Sequence, residues 1–174
     1  SKLTYEDSAL FAVMDQNLPE GDLFMRLRQM FPKQPLTVMH LLALSGANGI
    51  GRLGFSVPGG QPAARPILMS RAQLLATPFT PAVFDELVRA YLSTGAGVAG
   101  MQPKIMIPDR ATIPIPTVIV KAGSSAYPGL AANEFLCLKA ATAAGISTPN
   151  FELSHDGQLL LVDRFDIDID GARL

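Results

Sequence analysis

Apolar positions change rhythm partway along this chain, from a helical spacing to strand alternation. Early on, Leu23, Met25, Leu27, Met30 and Phe31 recur near the spacing of an amphipathic helix, after the turn Asn17-Leu18-Pro19-Glu20-Gly21-Asp22. A second helix is predicted over 36–45, stopped by Gly46 and the turn signal Asn48-Gly49. Residues 51–57 alternate like a strand, and 58–66, rich in Gly, Pro and Ala, read as an exposed loop. Thr80 and Pro81 then have the side chains of an N-cap and a first helical position, with Val83, Phe84, Leu87, Val88 and Tyr91 directed inward.

The later pattern predicts short strands over 104–108 and 117–122, the second β-branched. A helix follows over 128–145, with Gly145 where a C-terminal cap belongs. Residues 151–154 and 159–165 form a hairpin about Asp156-Gly157. Leu159-Leu160-Leu161-Val162 is apolar throughout, as in a strand covered on both faces. The expectation is an α+β protein in two parts. Residues 1–92 form a mainly helical domain, and 93–174 an antiparallel sheet with one helix. No internal repeat or low-complexity segment interrupts this order.

Composition adds limits. Hydrophobic residues make up 48% of the 174 positions and mean hydropathy is +0.27. That is oily for a free-standing soluble domain and favours a surface meant to be covered. A net charge of −1 gives no electrostatic case for binding DNA or a membrane surface. Cys137 is the only cysteine, so no disulfide framework exists, in keeping with a reducing cytoplasm. His40 and His155 stand apart and form no zinc pattern with it, so no metal ligand is assigned. No apolar run reaches the ~18 residues of a membrane span.

Three features carry candidate chemistry. Gly95-x-Gly97-x-x-Gly100 runs into Met101-Gln102-Pro103-Lys104. Alone it fits a linker, or the dinucleotide loop of a Rossmann fold. That fold needs a strand before the glycines and an acid ~20 residues on. Here a helix precedes them and Lys121 stands where the acid belongs. Alternation puts Thr117, Ile119 and Lys121 on one face of a strand. A lysine there can snorkel to solvent, or it can hold a phosphate. Glu134 shares a helical stripe with Leu130, Cys137, Leu138 and Ala141. An acid in an apolar stripe is costly unless paired, and Lys121 is the available partner. Asp166, Asp168 and Asp170 alternate near the end and read as a solvated turn, since the later Glu of a calcium loop is missing.

At these residues the chain resembles the HipA family, the serine/threonine kinase toxins of bacterial toxin–antitoxin modules. The matching segments are 98–104 (Val-Ala-Gly-Met-Gln-Pro-Lys), 118–121 (Val-Ile-Val-Lys), 133–138 (Asn-Glu-Phe-Leu-Cys-Leu) and 162–166 (Val-Asp-Arg-Phe-Asp). Upstream, 17–21 and 49–53 look like the domain that precedes the kinase part. The resemblance implies a HipA-type N-terminal subdomain followed by a protein-kinase-like small lobe. It implies that Ala99, Gly100, Met101, Gln102, Pro103 and Lys104 hold ATP phosphates, as does Lys121. Asp163, Arg164 and Phe165 would form the hinge against adenine, and Lys121 and Glu134 a structural ion pair. It further implies Mg²⁺ as a cofactor, a protein substrate such as an aminoacyl-tRNA synthetase, a HipB-like helix-turn-helix antitoxin as partner, and a cytoplasmic location. The catalytic aspartate and the Mg²⁺ ligands are expected beyond Leu174, so these 174 residues are expected to be inactive alone. Two positions depart from the family. Gly97 stands where a serine is often autophosphorylated, and Asp163 where glutamate is commoner.

Two other classes stay open from sequence. One is a non-catalytic regulatory or binding module with the shape of a kinase lobe. The other is a Rossmann-type oxidoreductase, which an antiparallel sheet would exclude.

Overall fold

The computed structural model describes residues 6–16, 18–33, 35–46, 49, 53–56, 58, 69–94, 104–107, 117–123 and 127–167. Among the described residues five helices precede the sheet. They are α1 (Ala12–Asp15), α2 (Gly21–Met30), α3 (Val38–Ser45), α4 (Arg71–Ala76) and α5 (Pro81–Thr94). The strands are β1 (Lys104–Ile107), β2 (Val118–Ala122), β3 (Phe151–Leu153) and β4 (Leu159–Asp163), with α6 (Leu130–Ala143) between β2 and β3. The sheet order is β1-β2-β4-β3 and every neighbouring pair is antiparallel. Helices segregated from an antiparallel sheet make the fold α+β.

Local chemistry explains most boundaries. Helix α3 starts two residues later than its apolar pattern predicts, because Thr37 caps it. The Thr37 hydroxyl accepts from the His40 amide at 3.3 Å, and His40 Nδ1 accepts from the Thr37 amide at 3.2 Å. Thr80 caps α5 in the predicted way, its hydroxyl accepting from Val83 N–H at 3.3 Å. Gly129 (φ 77°) and Gly145 (φ 79°) bracket α6 in the left-handed region that side chains avoid. The hairpin turns at Gly157 as expected.

Four expectations need correction. Residues 53–56 form no strand. The Phe55 amide donates to the Gly46 carbonyl at 2.8 Å, which folds this segment back on the end of α3 instead of into a ladder. Met25 is 53% exposed, because the buried stripe of α2 is Leu23 and Leu27. Cys137 is exposed, lying off the α6 stripe that faces the sheet. Asp166 is no solvated turn residue. It is buried with the Arg164 guanidinium, which donates to its carboxylate at 2.6 and 2.8 Å and to the Gly49 carbonyl at 3.3 Å. Asp168 and Asp170 lie outside the described residues.

The sheet is covered on both faces. Val118, Val120, Ala122, Leu159 and Leu161 join one core with Leu23, Leu27, Leu74, Leu87, Val88 and Tyr91 of the helical layer. Ile119, Leu160 and Val162 point the other way, onto Ala131 of α6 with half-buried Phe135, Leu138, Phe151 and Leu153. All four residues from Leu159 to Val162 are therefore buried, as their unbroken apolar run predicts.

Candidate functional site

Lys121 emerges near the end of β2, among residues whose neighbours are fully buried. Its ladder partner in β4 is Leu160, so it belongs to the face that α6 covers. Helix α6 brings Glu134 over that face one turn after Ala131, its closest anchor to the sheet. The Lys121 ammonium donates to the Glu134 carboxylate. The side chains retain 17% and 28% exposure, so the pair sits at the rim of the core, neither in bulk water nor sealed from it. At such a site the pair can pre-orient the amine while leaving its remaining donor directions for a ligand.

The register places one more of the sequence-predicted residues. Lys104, the first residue of β1, is the direct cross-strand partner of Lys121. Ala99, Gly100, Met101, Gln102 and Pro103, which precede Lys104, lie outside the described residues.

Asp163, Arg164 and Phe165 leave the far end of β4. Asp163 points to the opposite face from Lys121. One carboxylate oxygen accepts from Arg71 and the other from Asn150 Nδ2 at 3.0 Å. The Asp163 amide donates to the Asn150 carbonyl and the Arg164 amide to the Thr117 carbonyl, both at 2.9 Å. The Arg164 side chain is buried with Asp166. The side chains of Asp163 and Arg164 thus fix this segment to the protein, and Phe165, 64% exposed, is the one that faces out.

Arg71 was not singled out by the sequence. It opens α4, where Ser70 and Gln73 form a capping box, with Ser70 N–H donating to Gln73 Oε1 at 2.8 Å. From there its guanidinium reaches both Asp163 and Glu152, the latter at 2.7 Å. The capping box in Ser70-Arg71-Ala72-Gln73 marks the helix start in the sequence but not what Arg71 reaches.

Among the described residues no group of His, Cys, Asp and Glu could hold a metal ion. No helix among them is long and apolar enough to cross a membrane. The Rossmann alternative does not survive, because the strand following the glycine segment pairs antiparallel in an all-antiparallel sheet.

Fold and site together define an α+β protein whose sheet is backed by helices on one face and carries a lysine–glutamate pair on the other. Two family models match this chain. The HipA N-terminal domain matches residues 1–56, and the HipA-like C-terminal domain matches residues 96–174. Between them they take in most of the sequence, and the chain belongs to the HipA family. No curated protein matches it.

Proposed function

We propose that this chain is the nucleotide-binding part of a HipA-type serine/threonine protein kinase, with residues 93–174 forming a kinase-like small lobe behind a HipA-type N-terminal domain of residues 1–92. The observation that carries the proposal is the Lys121–Glu134 pair, set on the strand that pairs with the one following the glycine segment. Kinases hold ATP with such a lysine, kept in place by an acid from the helix that follows.

The division of labour is then as follows. Amides of 99–104 and the Lys121 amine orient the phosphates, Glu134 orients the amine, and the 163–165 segment meets the adenine through its backbone and the Phe165 ring. Phosphoryl transfer needs Mg²⁺ to neutralise the developing charge. The described residues offer no donor set that fits it, so no metal ligand and no aspartate base are assigned among them, and the role proposed for them is to bind ATP. The kinase is assigned a protein substrate, an aminoacyl-tRNA synthetase by the family resemblance, a HipB-like antitoxin as its partner and the cytoplasm as its location.

Titration of the chain with Mg·ATP tests this. Lys121→Ala is expected to weaken binding at least about tenfold, the worth of one charge-assisted hydrogen bond. Glu134→Gln is expected to weaken it less while costing under about 1 kcal/mol of stability, because the pair is part-exposed. Equal affinity in the parent chain and Lys121→Ala would sink the proposal.

A further inference from the structure

Arg71 sits in the wrong place for the helix that carries it. It is the first residue of α4, where the macrodipole disfavours a cation. Its position is accounted for by what it reaches. One arm of the guanidinium bonds Glu152 on β3 and another bonds Asp163 at the end of β4, and the side chain is only 22% exposed. Asn150 Nδ2 holds the second Asp163 oxygen, so the carboxylate cannot swing. The other end of the same connection is also tied. The Leu75 carbonyl accepts from His155 N–H at 2.9 Å, and Asp156 accepts from Phe79 N–H at 2.7 Å. The α4 region therefore braces the β3–β4 hairpin at both ends, from the face opposite Lys121.

We infer that Arg71 is a positioning residue for the base end of the nucleotide site. By fixing Asp163, it sets where the backbone of 163–165 meets the adenine, and so the helical layer tunes how tightly the base is held. This rests on the nucleotide-binding proposal above. Arg71 pairs with Asp163 on the face opposite Lys121, so its effect is expected at the base and not at the phosphates. A bidentate fork bridging two carboxylates is a task lysine performs poorly.

The experiment compares Mg·ATP with inorganic tripolyphosphate as probes of the chain, by calorimetric titration, with melting temperature recorded for each variant. Arg71→Met is expected to weaken Mg·ATP about fivefold or more, the lower end of typical coupling between sites, with tripolyphosphate affinity unchanged. Arg71→Lys is expected to fall between the two, and it decides the matter if Arg71→Met does not fold. Mg·ATP affinity unchanged in the folded variant, or both probes weakened together, overturns the inference. A parent chain that binds neither probe overturns the nucleotide proposal itself. Binding by the parent with no effect of Arg71 overturns only the role given to Arg71.

Discussion

The two faces of the four-stranded sheet are built from alternate residues of the same strands, yet they do different things. Val118, Val120, Leu159 and Leu161 enter an apolar core that continues into α2, α4 and α5, with the Arg71, Glu152 and Asp163 ion pairs at its edge. Among the described residues, Ile119, Leu160 and Val162 meet α6 and the β3 side chains Phe151 and Leu153, in a thin cluster edged by half-buried rings. Lys121 belongs to the second face. A lysine on the first face would meet a dry apolar layer, where an ammonium is neutralised or expelled. Under α6 its stem lies along apolar surface while its head reaches Glu134 near the rim. Thick packing secures the sheet on one side, which lets the thinner side keep a charged pair accessible.

That contrast predicts unequal costs for equal deletions. Leu161 and Leu160 are adjacent and both 0% exposed, but face opposite ways. Leu161→Ala is expected to cost toward the upper end of about 2–5 kcal/mol, because its surroundings are held by several helices and cannot collapse into the cavity. Leu160→Ala is expected nearer the lower end, since α6 alone can settle inward. Urea denaturation of both variants decides it, and equal losses would mean that the α6 layer is as rigid as the helical core. The next effect belongs to neither face but to the end of β4. Asp166→Ala leaves the Arg164 guanidinium, whose side chain is 0% exposed, without its carboxylate. A cost of about 3 kcal/mol is expected in the same assay, and a loss below 1 kcal/mol would show that the Gly49 carbonyl and its other contacts suffice.

How far the sequence revealed these faces depended on the range of the signal. Strand alternation from 117 to 122 and the apolar run from 159 to 162 are strong local patterns. The structure puts Ile119 and Lys121 on the face that they predict, and buries 159–162 on both sides. Glu134 was found because an acid in an apolar stripe demands a partner. Cys137 was misplaced on that stripe because a 3.6-residue period leaves its edges ambiguous, and the exposed side of α6 is also apolar (Leu136 is 64% exposed). Residues 53–56 alternate without pairing, since alternation reports a pleat but not the presence of a partner strand. Helices α1 and α4 are too short to show a period at all. Arg71 was invisible for a different reason. Its partners lie 81 and 92 residues away, and no local pattern encodes a contact across that span.

The smallest expected effect concerns the brace between the hairpin and the helical layer. Burial alone would raise the Asp156 carboxyl, but the Phe79 amide, the Ser154 hydroxyl and the Gln158 amide all donate to it and hold it below the ordinary 3.8. A carboxyl whose folded pKa is depressed contributes stability above its unfolded pKa and loses it as pH falls through the folded value. Asp156 is on the surface, so the contribution is modest. At pH 7 the parent chain is expected to melt above Asp156→Asn. The gap should narrow as pH drops below 3.8 and close once the carboxyl is protonated in the folded chain too. Asp156 sits at the hairpin turn, at the other end of the brace from Asp163, so Asp156→Asn should leave Mg·ATP affinity at pH 7 close to that of the parent. A variant that loses nucleotide binding in step with stability would show that the turn end of the brace is not separable from its Asp163 end.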